Sequence, residues 1–214
     1  MAFVLLIGGF ASYFIVKASR STRQFTVVID AGHGGIDGGA SGTVTGVKEA
    51  DINLLISKKL KELFENSGFR VVMTREDSEG LYGTTDPGFK KRDLLERVKI
   101  INSAGADFLI SIHLNVYSSQ SRRGAQAFFK KGSEQGKKLA KRIQARINGL
   151  GVVPRLYDAL SGDYYLLNES NIPSVIVECG FLSSPEDEKL LLTEEFRGEM
   201  ANAIFGGSID AMLS

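Results

Sequence analysis

The chain has 214 residues, of which 43% are apolar and 24% charged, and its formal net charge is +1. A chain of this length fits one domain with at most a short extension, and folding hides roughly 70% of the surface the unfolded chain exposes. The near-zero charge removes the electrostatic footing for nucleic acid; the single cysteine excludes an internal disulfide and leaves the redox compartment open.

Residues 2–16 carry no charge, and Lys17, Arg20 and Arg23 follow. This run is short of the about 20 residues that span a membrane and long for a signal-peptide core. No basic residue precedes it. Residues 1–24 are therefore expected to be an export or anchoring segment, which places the protein outside the cytoplasm, exported or membrane-anchored. A buried core helix is the bland alternative. The folding pattern begins cleanly at Phe25, so 25–214 is the expected domain.

Residues 25–30 (FTVVID) form a short, almost wholly apolar run that breaks into glycines, as a strand covered on both faces does. Over 48–66, Ile52, Leu55, Ile56, Leu60, Leu63 and Phe64 recur at helical spacing, and Ser67-Gly68 stops the helix. Residues 69–74 read as a strand, 76–88 as loop, 90–104 as a helix and 107–112 as a third buried strand. A strand nearer an edge follows at 124–130, then a charged helix over 133–148 with Ser133 as its N-cap. Residues 149–162 have no period and are expected to be a loop over a site. A short strand is expected at 164–167, a buried one at 174–177 and a closing helix at 194–212, weakened by Gly206-Gly207. Strands alternating with helices predict an α/β fold: one layered domain, with a mixed, mostly parallel sheet flanked by helices on both faces.

In open α/β sheets ligands bind beyond the carboxyl ends of the strands. His33 follows the first strand, His113 ends the third, and Glu178 ends the last buried one; the chain has no other histidine. Glu49 stands in register with Ile52, Ile56 and Leu60, on the helix face turned to the core. A carboxylate there needs a cation or firm hydrogen bonds, although an acid in a first turn also meets the helix dipole favourably. Two imidazoles and one carboxylate with a vacant fourth position are the pattern of a catalytic zinc, which lowers its water's pKa to about 7. Glu178 follows three apolar residues, so desolvation raises its pKa while a nearby zinc lowers it; such a group can shuttle the proton. A structural acid paired with arginine is the alternative. Cys179 is its neighbour in an extended segment and points the other way, as a small buried hydrophobe rather than a nucleophile. The glycine loop from Gly32 fails the dinucleotide pattern G-x-G-x-x-G at Asp37, and it has no P-loop lysine.

Four blocks, VVIDAGHGGIDGGA (27–40), KEADINL (48–54), SIHLN (111–115) and IPSVIVECGFLSSPEDEKLL (172–191), resemble the zinc-dependent N-acetylmuramoyl-L-alanine amidases, in the family's order. The resemblance covers about residues 25–212. It implies zinc on His33, Glu49 and His113, Glu178 as catalytic acid/base, and peptidoglycan as substrate, cut between the lactyl group of N-acetylmuramic acid and L-alanine. Asn115 is a candidate substrate contact, with a turn-stabilising role as its alternative. Thr74, Arg75, Arg92, Arg97, Asn102 and Asp107 also match the family's spacing and read as scaffold, that is helix-surface arginines and turn polar groups.

Leu114 and Val116 stand where relatives often carry alanine and are expected to narrow the groove. Some relatives insert a helix that blocks the zinc before the last strand; only 149–164 is left for it here, which points to control by a partner protein instead. A compact amidase with a hydrophobic leader is similar to the members that mature spore cortex for germination. A non-catalytic peptidoglycan-binding module on the same scaffold is the competing expectation, and a cysteine hydrolase using Cys179 is a second.

Overall fold

The computed structural model describes residues 23–151 and 156–214. The expected export or anchoring segment lies outside the described residues except for Arg23 and Gln24. Among the described residues no helix is long and apolar enough to cross a membrane.

Six strands make one sheet: β1 (Thr26–Ala31), β2 (Arg70–Met73), β3 (Phe108–Asn115), β4 (Gln126–Lys130), β5 (Leu160–Gly162) and β6 (Ser174–Phe181). Their order is β2-β1-β3-β6-β4-β5. The first four in that order run parallel, β4 is antiparallel to β6, and β5 is parallel to β4. Every residue of β1 and of β6 is buried, which is why both run apolar without alternation.

Alternate strand positions serve two separate cores. Val27, Ile29, Ile110, Ile112, Val175 and Val177 pack with α1 (Glu49–Asn66), α3 (Glu134–Asn148) and α6 (Glu194–Leu213). Val28 and Leu109 face the other way, against Ile101 of α2 (Phe89–Ser103) and Leu166 of α4 (Tyr165–Glu169). The sheet is mixed, mostly parallel and covered by helices on both faces, as expected. Ser133 caps α3 by accepting from the Gly136 amide at 3.1 Å. α6 runs unbroken through Gly206-Gly207; a Cβ on Gly207 would stand 2.4 Å from the Ile143 Cα. Glycine there lets α6 lie directly on α3.

Three sequence expectations change. Residues 164–167 are not a strand: Tyr165–Glu169 is the one-turn helix α4, and the strand is β5, inside the stretch expected to be loop. Leu166 and Leu167 are both buried, and a short apolar run of this kind has no period that separates helix from strand. Pro185–Leu191 forms a further helix, α5, capped by Ser184 with Pro185 in its first turn. Both signs were present in the sequence.

The third change concerns Arg97, which is not on a helix surface but only 2% exposed. Its Nη1 meets Asp30 Oδ1 at 2.6 Å, and its Nε meets Asp93 Oδ2 at 2.5 Å. Thr74 and Ser111 donate to Asp30 as well, at 2.7 and 2.5 Å. Burial pushes the Asp30 carboxyl up, but Arg97, His113 and these two hydroxyls outweigh it and hold the group at about 2. A depressed carboxyl stabilises the fold fully above its unfolded value near 4, and that contribution fades as pH falls toward 2. Arg97→Leu leaves Asp30 and Asp93 buried without their cation, at a cost of about 3–5 kcal/mol. Urea unfolding at pH 7 reads that loss; an unchanged midpoint would refute the role of the pair.

Candidate metal centre

The segment between β1 and α1 builds the site. His33 takes a left-handed backbone, φ 62°, rare for a residue with a side chain and strained by about 1–3 kcal/mol. Arg97 Nη2 holds its carbonyl at 2.6 Å. Arg75 donates to the carbonyls of Ala31, Gly32 and Ala50 at 2.8, 3.0 and 2.8 Å, and Asn53 Nδ2 to Gly32 at 3.2 Å. Gly32 must be glycine, because a Cβ would stand 2.3 Å from the His113 ring.

His33 Nδ1 lies 2.9 Å from Asp37 Oδ2, and Lys90 Nζ lies 2.9 Å from the other oxygen. That contact fixes the imidazole and leaves Nε2 facing Glu49 Oε1 at 3.2 Å. His113 Nδ1 approaches the same Glu49 oxygen at 3.1 Å. The two rings stand 5.1 Å apart and nearly perpendicular, at 78°. Glu49, the first residue of α1, is buried. It accepts from Ala40 N at 2.9 Å, Leu114 N at 3.1 Å and Asn53 Nδ2 at 3.3 Å, not from the amides of its own first turn. It therefore belongs to the site and does not cap its helix. One donor atom from each of His33, Glu49 and His113 lies within 4.8 Å of the others, a cluster that could hold a metal ion.

Burial lowers the His33 pKa, but Glu49 and Asp37 outweigh it and raise the group to about 9. Burial raises Glu49, and the two histidines hold it well below the usual carboxylate range. The carboxylate thus sits between two imidazoles and demands positive charge there, a proton or a metal ion.

Glu178 is the register partner of His113 on the neighbouring strand. It is 7% exposed, and its Oε2 finds no hydrogen-bond partner among the described residues. Burial pushes its carboxyl up to about 7, with Glu49 adding to the rise and the two histidines opposing it. Among the described residues no arginine forms an ion pair with Glu178, the expected structural alternative. Cys179 points into the opposite core, fully buried, with burial raising its thiol well above the usual value. A thiol so placed is inert.

β3 runs two residues past His113, with an irregularity between His113 and Asn115 where it pairs with β6. Asn115 Oδ1 accepts from the Val116 amide at 2.8 Å, a turn-stabilising bond. Leu114 is buried in the α1–α3–α6 core and does not narrow a groove; Val116 is exposed. Sequence reasoning missed Asp37 and Asn53 as supports, and it placed Arg75 in the scaffold without its grip on the Ala31, Gly32 and Ala50 carbonyls. The sequence did show His33 and Asp37 four apart in one glycine-rich turn, and Asn53 one helical turn beyond Glu49.

The family described as N-acetylmuramoyl-L-alanine amidase matches residues 27–209. The chain belongs to this family. It is 35% identical over 185 residues to the germination-specific N-acetylmuramoyl-L-alanine amidase of Bacillus subtilis, covering 85% of this chain and 77% of that one. It is 28% identical to the amidase AmiA of Escherichia coli, with 90% and 78% covered. The CwlD amidase of Clostridioides difficile, solved in complex with the GerS lipoprotein, superposes with a TM-score of 0.85 at 38% identity, covering 89% and 99%. The chain is thus an enzyme, an amide hydrolase acting on peptidoglycan.

The raised carboxyl of this amidase carries a stability signature. The folded state holds a proton on Glu178 up to about pH 7, whereas the usual value is 4.5. Its contribution is therefore lost as pH rises through that window. In metal-free protein, Glu178→Gln should unfold at the same midpoint as the parent near pH 4 and be more stable at pH 8, by about 2–3 kcal/mol. Equal midpoints at pH 8, read by urea unfolding, would show that Glu178 is not desolvated.

Proposed function

We propose that the amidase is zinc-dependent, with the ion on His33, Glu49 and His113 and with Glu178 as the catalytic acid/base. The observation that carries this reading is a buried carboxylate, its Oε2 without a partner among the described residues, in register across two strands with one imidazole of a three-donor cluster. The donors suit zinc: ligand atoms about 2.0–2.1 Å from a tetrahedral ion stand about 3.3 Å apart. The two imidazole nitrogens lie 3.2 and 3.1 Å from Glu49 Oε1. Asp37 orients His33 as second carboxylates do for metal-bound histidines.

Zinc held there supplies a Lewis acid for the scissile carbonyl and the acidity that makes water nucleophilic near neutral pH. Glu178, poised near 7, takes the water's proton on its carboxylate and returns it to the leaving nitrogen of L-alanine. Adjacent strands lie about 4.8 Å apart, which keeps this carboxylate within a hydrogen-bonded reach of chemistry at His113. Asn115, half-buried at the end of β3, is the substrate contact in this reading.

The setting is the cell wall outside the cytoplasm, with residues 1–24 as export segment or membrane anchor and spore-cortex maturation for germination as the role. The similarity to the germination-specific enzyme supports that role. A regulatory protein partner belongs to the same reading, supported by the GerS lipoprotein bound to the CwlD amidase. A non-catalytic binding module has no use for a desolvated Glu178.

Release of stem peptide from muropeptides should fall by about 10²–10⁴ in Glu178→Gln with zinc content unchanged. His113→Ala should lose the zinc itself, and a chelator should abolish the parent's activity. Full activity in Glu178→Gln, or in chelator, would remove this mechanism.

A further inference from the structure

Beside Glu178 the sheet edge opens into a groove of about 660 Å³, walled by Tyr117, Arg122, Gln126, Tyr157 and Asp158. The antiparallel pairing of β4 with β6 sets Gln126 opposite Glu178, so the wall of the groove adjoins Glu178. Its walls are tied down. Gln126 Nε2 donates to the Asp158 carbonyl at 3.0 Å, and the Tyr157 hydroxyl to the Arg123 carbonyl at 2.9 Å.

Two consecutive arginines in this wall have different surroundings. Arg123 is committed inward: its Nε donates to Asp187 Oδ1 at 3.1 Å, and the Gly124 amide meets the other oxygen at 2.7 Å. That charge is neutralised. The Arg122 guanidinium carbon lies 4.6 Å from the centroid of the Tyr117 ring and 5.4 Å from that of Phe181. Its Nε is buried and has no hydrogen-bond partner, and no ion pair reaches it among the described residues. Asp158, the acid on the same groove, is exposed and pairs with neither arginine among the described residues.

A guanidinium stacked on aromatic rings has its rotation restricted, while its outer Nη groups, unlike the buried Nε, stay available to a ligand. A group prepared in this way recognises a planar anion edge-on, and carboxylate is the match for its paired donors. The cost of ordering the side chain is already met by the stacking, so a ligand gains most of the bond.

We propose that Arg122 is a specificity residue of this amidase, receiving a carboxylate of the stem peptide as the peptide lies along the groove from Glu178. The inference rests on the amidase reading above and adds the charge of the peptide that is preferred. It makes Arg122 a binding group, with no part in moving protons.

The test uses two muramoyl-peptides of one sequence, one with free side-chain and terminal carboxylates and one with each converted to a carboxamide. The full-length enzyme should favour the carboxylate form in kcat/KM by about 10- to 100-fold, the range of a hydrogen-bonded charge pair. Arg122→Gln should raise KM for the carboxylate form by that factor, leave kcat alone and leave the carboxamide form unaffected. Arg122→Lys should recover part of the preference. Equal effects on the two substrates, or no preference in the parent, would overturn the proposal; equal effects are what a merely structural Arg122 gives. Calorimetric binding of both peptides to Glu178→Gln separates this inference from the catalytic one. There the carboxylate preference persists if Arg122 is the anchor, whatever that variant's turnover, and its absence there also overturns the proposal.

Discussion

Two buried guanidinium groups gripping the carbonyls at the end of one strand are the constraint on which this molecule depends. Beyond β1 the chain leaves the sheet, and the carbonyls of Ala31, Gly32 and His33 need other partners. Buried carbonyls without donors are costly. Arg75 and Arg97 supply the donors, and both reach the Ala31 carbonyl at 2.8 Å. The two cations are close enough that burial and the charge of Arg97 pull the Arg75 pKa down, with Asp30, Asp93 and Asp77 opposing. This network holds the carbonyls on either side of the left-handed His33, whose ring faces Glu49. Local strain at the site is thus set against a cooperative polar core beneath it.

Above that base, two carboxylates share one small region and are driven in opposite directions. Glu49 sits between imidazoles and three hydrogen-bond donors and stays ionised. Glu178 has the same histidines as neighbours but no partner on its Oε2 among the described residues, and it is raised to about 7. Environment therefore keeps one residue of this type ionised and raises the other toward neutral pH. The parallel register of β3 and β6 puts the second beside His113, and that placement is a property of the sheet rather than of any loop.

Much of this was legible in the sequence for physical reasons. β1 and β6 run apolar because both faces are covered, and the spacing of Ile52, Ile56 and Leu60 fixed the side on which Glu49 would lie. The two histidines fell at the carboxyl edge because that edge follows from the strands. Arg97 was misread because a charged residue on a helix is usually solvated, and only the partners at Asp30 and Asp93, one of them 67 residues distant, reveal otherwise. Leu114 was misjudged because the strand continues through it, turning its side chain into the core. α4 was taken for a strand because five residues carry no usable period. Arg122 lay in a polar stretch that gave no pattern at all; its stacking on Tyr117 and Phe181 exists only in three dimensions.

X-ray absorption at the zinc edge, on the zinc-loaded full-length chain, addresses the convergence of His33, Glu49 and His113 most directly. One ion per chain is expected, with two imidazole nitrogens and carboxylate or water oxygens in a tetrahedral shell at about 2.0–2.1 Å. A spectrum with fewer than two imidazoles, or one left unchanged by Glu49→Ala and His33→Ala, would contradict the account.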